Sequence, residues 1–418
     1  MKKALASLLF ALTLSAPAAA GGFGVVWNAN DDGRGSLRQA LDSANTIVIL
    51  PWVGTIPASS TLIYDGHAPL TIIGSRQTVD GANLKDNLSP VLEVSQGADV
   101  YISKLTLDAG GGNENGPYNR LNQGGGKGLF VDVPLDRTGN VKVTLRDFTV
   151  RGTGNHGVHI SDCTLDDDCG GGSGGGGDGS SAGVEVYLTR VVIEDSGNGK
   201  QDADGFRVDD RGPGDIYFYA RRSVFFDNGA DGVELDEGNE GDVIFNVARS
   251  RFEFNGEYCV VGDFVPGDDC DDDGEPDVDD AFDIDEAGPG GLYGTGRNLI
   301  IVDNFDEGLD FDEEDGDGID IVLANIFGEG NEDETVKTSE EGEGDNIVRI
   351  RNITDDGDLE FEEEDGGIVG VTLIDSFVGD DLQIEADDGD PSTTDGFYRG
   401  VNTTVADELQ FEGEIDIL

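Results

Sequence analysis

The chain has 418 residues, 37% of them hydrophobic, with 65 Gly and only 12 Pro. Gly without Pro, and without a Gly-X-Y period, excludes collagen and Pro-rich disorder and points to many tight turns around a core. The formal net charge of −61 excludes nucleic acid and anionic membrane surfaces, whose phosphates would be repelled, and makes cations the natural partners.

Residues 1–20 read as a signal peptide. Lys2 and Lys3 form a positive start, Ala4 to Leu14 is a short apolar run, and Ala18-Ala19-Ala20 is a small-residue cleavage site. The apolar run is too short to span a membrane and no later stretch reaches that length, so export without membrane insertion is expected. The destination would be the bacterial periplasm, the cell surface or the medium.

Residues 21–48 read as an N-terminal cap. Ser36 is placed to cap a short helix with Leu37, Ala40, Leu41 and Ala44 on one face. Such a helix would close the open end of a solenoid, where strands and core are otherwise exposed. The segment Asp32-Gly33-Arg34-Gly35-Ser36-Leu37-Arg38-Gln39-Ala40-Leu41 resembles the N-terminal motif of secreted bacterial β-helix proteins. Thr46 to Leu50, Leu70 to Gly74 and Val79-Asp80-Gly81 fit the same family. The resemblance, confined to Gly33–Gly81, implies a pectin-lyase-like fold and export. It implies no single activity, because that fold hosts lyases, glycosidases, epimerases, adhesins and structural proteins.

From residue 49 to 418 the reading is one right-handed parallel β-helix, an all-β solenoid. Short strands are expected at Val100 to Leu107, Gly128 to Val133, Val141 to Val150 and Val184 to Ile193. Loop insertions are expected near 162–183, a Gly- and Ser-rich stretch, and near 257–278. Each holds a local Cys pair, and an oxidising compartment favours Cys163–Cys169 and Cys259–Cys270 as loop-pinning disulfides.

The repeat that fixes the architecture is apolar-x-apolar followed by acids. It appears as Phe206-Arg207-Val208-Asp209-Asp210, Val233-Glu234-Leu235-Asp236-Glu237, Phe282-Asp283-Ile284-Asp285-Glu286 and Leu309-Asp310-Phe311-Asp312-Glu313. Further copies start at Leu359, Leu382 and Leu409, with a degenerate copy at Val336-Lys337-Thr338. Successive copies are 27 or 23 residues apart, except for the 49 between Val233 and Phe282 that contain the second insertion. A fixed period with three short strands per turn fits a triangular β-helix; an antiparallel sandwich would not hold the period.

In such coils equivalent residues stack about 4.8 Å apart. Asp209, Asp236, Asp285, Asp312, Glu362, Glu385 and Glu412 then form a row. At that spacing two unit charges repel by about 0.9 kcal/mol in water and about 3.5 kcal/mol at an effective dielectric of 20. Bound cations, raised pKa values or salt screening would relieve it. Hard divalent cations fit carboxylate oxygens best, and Ca²⁺ is the extracellular choice. A sharper Ca²⁺ candidate is Asp269 to Asp280. Its acids Asp269, Asp271, Asp273, Glu275, Asp277 and Asp280, with Gly274 at the sixth position, resemble the Ca²⁺ loops of EF-hand and thrombospondin type-3 repeats.

Polysaccharide lyases of this fold resemble one another in setting an Arg or Lys base beside Asp-bound Ca²⁺. Arg207 among Asp202, Asp204, Asp209 and Asp210 is the residue that could serve so; neutralisation of a crowded acidic row is the simpler role. Asn155-His156-Gly157-Val158-His159 resembles the His motif of polygalacturonases, but the paired Asp motif does not precede it and no Arg-x-Lys follows, which leaves His156 and His159 as a loop and an outward-strand residue. The expectation is therefore a structural or adhesive Ca²⁺-stabilised surface protein, with a polysaccharide lyase or glycoside hydrolase as the alternative. Extracellular polysaccharide is one expected partner. Self-association is another, since no polar cap is visible at Ile415-Asp416-Ile417-Leu418.

Overall fold

In the computed structural model the described residues are 21–84, 89–111, 126–162, 179–197, 202–259, 271–272, 275–276, 278–314, 316–364, 366–387 and 396–418. The expected signal peptide, Cys163, Cys169, Cys270 and most of both insertions lie outside them. Among the described residues no helix is long and apolar enough to cross a membrane.

Each coil adds one short strand to a 12-stranded parallel sheet and further strands to a 19-stranded parallel sheet that wraps the remaining faces. The register confirms the period read from the repeat. Phe206 lies beside Val233, Val233 beside Phe282, Leu359 beside Leu382, and Leu382 beside Leu409. Strand Phe23–Val26 already pairs in parallel with Thr46–Ile49, so the first coil begins inside the segment assigned to the cap. The cap helix is Leu37–Leu41. Ser36 accepts a hydrogen bond from the Gln39 N–H, and Leu37, Ala40 and Leu41 are buried.

The long strands of the larger sheet bend at single residues in the left-handed region. Asp147, Arg190, Arg222, Arg249, Asn298, Asn325 and Asn352 have φ between 49 and 61°. Asn and Asp tolerate this conformation through local hydrogen bonds; the arginines hold it because neighbouring coils fix the strands on both sides. Asn352 donates to Asn325 at 2.8 Å, so this corner carries a short external Asn stack. An internal stack lies at another corner. Asn228 donates to Asn255, Asn255 to Asn304 and Asn304 to Asn331, at 2.8, 2.9 and 2.8 Å. Each buried carboxamide is thereby satisfied by its neighbour one coil away.

Alternation sends Phe206, Val208, Val233, Leu235, Phe282, Ile284 and Phe311 into one continuous core. Its middle is aromatic. Phe225 stacks on Phe252 at 5.0 Å and Phe252 on Phe282 at 5.7 Å, and Phe311 meets Phe282 edge-on at 5.4 Å. Phe282→Ala is therefore expected to cost about 3–5 kcal/mol. Urea denaturation followed by Phe fluorescence or circular dichroism reads this directly, and a cost below about 1 kcal/mol would contradict the packing.

Candidate functional site

The face of the 12-stranded sheet carries the acids. Outward positions line up as Asp132, Ser161, Asp209, Asp236, Asp285, Asp312, Ser339, Glu362, Glu385 and Glu412. This is the row expected from the repeat, interrupted at Ser339. A second outward row runs beside it. Phe130, His159, Arg207, Glu234, Asp283 and Asp310 occupy its first part, and Lys337, Glu360, Gln383 and Gln410 its last.

At the N-terminal end the two rows form a buried ionic network. The Arg207 guanidinium donates to Asp209 at 2.6 Å and to Glu234 at 2.5 Å, reaches Asp202 at 3.1 Å and Asp204 at 3.4 Å, and lies 3.5 Å from Asp236. Asp236 is also bonded by Arg211. Asp210, expected beside Arg207, instead points inward, because alternation along the strand puts it on the core side. Burial disfavours the charge on Arg207, but Glu234, Asp209, Asp202 and Asp204 outweigh it and hold the pKa well above the ordinary value. Arg207 is thus a locked cation and not a proton acceptor.

His156 and His159, read as loop and outward-strand residues, are both fully buried. Lys127 lies 2.6 Å from His159 Nδ1, and His159 Nε2 is bonded to Asp209. Lys127 has only protons to give, so Nδ1 accepts and Nε2 carries the proton toward Asp209. Burial and the Lys127 charge bring the His159 pKa down to about 3, and the ring stays neutral. His156 Nδ1 accepts from the Asp204 N–H at 2.9 Å. Burial pushes the Asp204 carboxyl up, yet the His156 ring, whose Nδ1 lies 3.1 Å from Asp204 Oδ2, and the Arg207 charge bring it to about 2.

Toward the C-terminus the protein's own cations run out. Lys337 bonds Glu307 and Asp310 at 3.0 Å each. Beyond it, Arg349 and Arg351 lie on the other sheet, against Asp320 and Asp375. Carboxylate oxygens converge within 4.8 Å in Glu234–Asp283–Asp285, Asp280–Glu307–Asp310, Glu360–Glu362–Glu385 and Asp380–Asp381–Asp407. Burial and neighbouring acids push Asp312 and Glu362 each up to about 8.

The Ca²⁺ loop read from the sequence is only partly described. Asp269, Asp273 and Asp277 lie outside the described residues. Asp271 pairs opposite Pro276 and Asp272 opposite Glu275 in a short antiparallel ladder. Asp280 goes with the sheet face, where its N–H donates to Asp231 at 2.6 Å and its carboxyl joins Glu307 and Asp310.

The sequence reading missed Lys127, Arg211 and the charge-neutralising place of Lys337. It also missed that the second acid of each repeat turns inward. Asp210, Glu237, Glu286, Glu313, Glu340 and Glu363 stack in register, and all are buried. Burial pushes Glu237 and Glu340 each up to about 8 and, together with Glu313, Glu286 to about 11.

No family model matches the chain, and no curated protein matches it. Solved structures similar to it include pectate lyase Pel9A, at 12% identity and TM-score 0.38 over 93% of this chain and 79% of that one. Another is the periplasmic alginate epimerase AlgG, at 9% identity and TM-score 0.38 over 89% and 75%. The Streptococcus pneumoniae surface protein and adhesin PfbA is similar at 11% identity and TM-score 0.29 over 94% and 99%.

Proposed function

We propose that the chain is an exported β-helix whose acidic sheet face takes up divalent cations, Ca²⁺ above all, in a structural or adhesive role at the cell surface. The observation that supports this best is the register of the C-terminal coils. Glu360, Glu362 and Glu385 share one patch; Lys337, in register beside Glu360, is bonded to Glu307 and Asp310, and the repulsion of stacked carboxylates at strand spacing is relieved by an ion between them. A divalent cation with oxygen ligands suits the patch, and Ca²⁺ accepts its irregular geometry more readily than Mg²⁺. The expected disulfides, Cys163–Cys169 and Cys259–Cys270, belong to the same extracellular reading. Calorimetric titration with Ca²⁺ tests it. Glu360→Gln combined with Glu362→Gln is expected to remove at least one bound ion per chain, and an unchanged number of ions would refute the assignment.

A second reading, a polysaccharide lyase or glycoside hydrolase, draws on one feature, the buried string Lys127–His159–Asp209. Incubation with uronate polymers, followed by detection of unsaturated products or new reducing ends, separates the two readings. Activity lost in Lys127→Met would favour the enzyme.

A further inference from the structure

The larger sheet carries a basic row on its outer face, away from the acidic rows. Register lines up Arg146, Thr189, Arg221, Ala248, Arg297, Ala324 and Arg351 on successive coils. Arginine therefore recurs on every second coil, with a small residue between. All four arginines are exposed. At strand spacing they stand about 9.6 Å apart, two steps of about 4.8 Å. The chain has 26 Lys+Arg against 87 Asp+Glu, so four arginines in one row are a local reversal of its charge. The neighbouring row repeats the step, with Arg349 and Arg399 two coils apart and Thr372 between them.

Nearby acids do not cancel the row. Arg146 lies 3.7 Å from Asp147 and Arg351 3.9 Å from Asp375, and Arg349 lies 2.5 Å from Asp320. These are exposed pairs, which contribute little and exchange readily for another anion. Arg221 and Arg297 have no ion pair among the described residues. The small residues leave room between the guanidinium groups. Over the last three members of the row a groove of about 610 Å³ opens, with Arg297, Ala324, Arg349 and Arg351 in its lining. Asn325 and Asn352 line it too; they belong to the exposed Asn stack of this corner. Guanidinium forks hold carboxylate or sulfate oxygens in pairs, and carboxamides both donate to and accept from hydroxyls. At physiological salt charges are screened over about 8 Å, so a ligand in contact with the row feels the arginines rather than the remote acidic face.

We propose that this row and its groove bind an acidic polysaccharide laid along the solenoid axis. One anionic group meets each arginine, and the intervening sugar lies over Thr189, Ala248 or Ala324. The two-coil step suits a polymer that is acidic on every second sugar, and the Asn carboxamides suit its hydroxyls. A second copy of the chain is the poorer fit, because its outward acids Asp209, Asp236, Asp285 and Asp312 recur on every coil, out of step with the arginines. The surface lies on the other sheet from the cation patches and needs no divalent ion, so it stands or falls independently of them.

The test is fluorescence anisotropy of a labelled hyaluronan oligosaccharide, acidic on alternate sugars, titrated with the full chain in EDTA. Neutral dextran of equal length is the control polymer. Wild type is compared with Arg221→Gln/Arg297→Gln and, as the acidic-face control, Glu360→Gln/Glu362→Gln. The arginines are exposed, and circular dichroism checks that the variants keep the fold. Wild type is expected to bind hyaluronan and not dextran, more weakly as salt is added. The arginine variant is expected to bind about tenfold more weakly or worse, having lost two charge-assisted contacts, while the control binds as wild type does. No binding by wild type, equal affinity for dextran, or equal affinity in the arginine variant would overturn the proposal. Binding that appears only with added Ca²⁺ and is lost in the glutamate variant would move the polymer to the cation patches and overturn this surface alone. Light scattering without polymer covers the remaining occupant: salt-sensitive oligomers of wild type that vanish in the arginine variant would assign the row to a second copy and overturn the proposal too.

Discussion

Arg207→Met is expected to destabilise the protein by about 3–5 kcal/mol, because it leaves Asp209, Asp204 and Glu234 buried without the cation they share. Methionine fills most of the volume, so the loss reports charge rather than a cavity. Arg207→Lys is expected to recover only part of it, since an ammonium cannot reproduce the forked contacts to Asp209 and Glu234. The contrast is Arg349→Met. That residue pairs with Asp320 at 2.5 Å, but both side chains are about half exposed, and the cost should stay within about 1 kcal/mol. Urea unfolding at neutral pH measures all three. If Arg207→Met behaves like Arg349→Met, the buried network is not what the geometry describes.

In chelator, stability is expected to fall as pH rises from about 5 to about 9. Burial pushes Asp210 up to about 9 and Glu237, Asp312, Glu340 and Glu362 each up to about 8. In the unfolded chain such groups titrate near 4. Between those values the native state binds more protons, so its advantage is complete below the unfolded pKa and is lost as pH rises through the folded one. Asp204, brought to about 2, works in the opposite sense, and its contribution is lost only in strong acid. The cations facing these acids are Arg207 and Arg211 at Asp236 and Lys337 at Asp310. Several kcal/mol of linkage, at about 1–2 °C per kcal/mol for a chain of this size, gives a drop in Tm of roughly 5 °C or more. Ca²⁺ replaces the lost protons and should flatten the dependence. Melting curves at pH 5 and pH 9 in EDTA check the sign, and equal Tm values would contradict it.

The architecture was legible because a β-helix writes its period into the sequence. The steps from Phe206 to Val233 and from Leu359 to Leu382 are the distances at which the coils pair. The outward acid row was legible for the same reason. Its inward companion was equally implied by strict alternation, since Asp210 or Glu237 sits one position after an outward residue. The general rule that charged residues avoid the core concealed it. The Asn stack could have been found by aligning the residues that follow the strands, where Asn228, Asn255, Asn304 and Asn331 recur. Lys127 and Arg211 could not have been found this way. Their partners come from distant coils and turns, and nothing in their local sequence distinguishes a buried ion partner from an exposed one. The Asp269–Asp280 segment was read from its spacing as one ion-binding loop; Asp269, Asp273 and Asp277 lie outside the described residues, and Asp280 comes close to Glu307 and Asp310 of the next coil.

The outward patches of stacked acids are expected to take up divalent cations. Thermal unfolding of the full chain at neutral pH, in millimolar Ca²⁺ and in EDTA with ionic strength matched by NaCl, tests it most directly. A Tm higher by several degrees in Ca²⁺, rising with its concentration and not reproduced by NaCl, is the predicted result. Identical melting curves in Ca²⁺ and EDTA would contradict it.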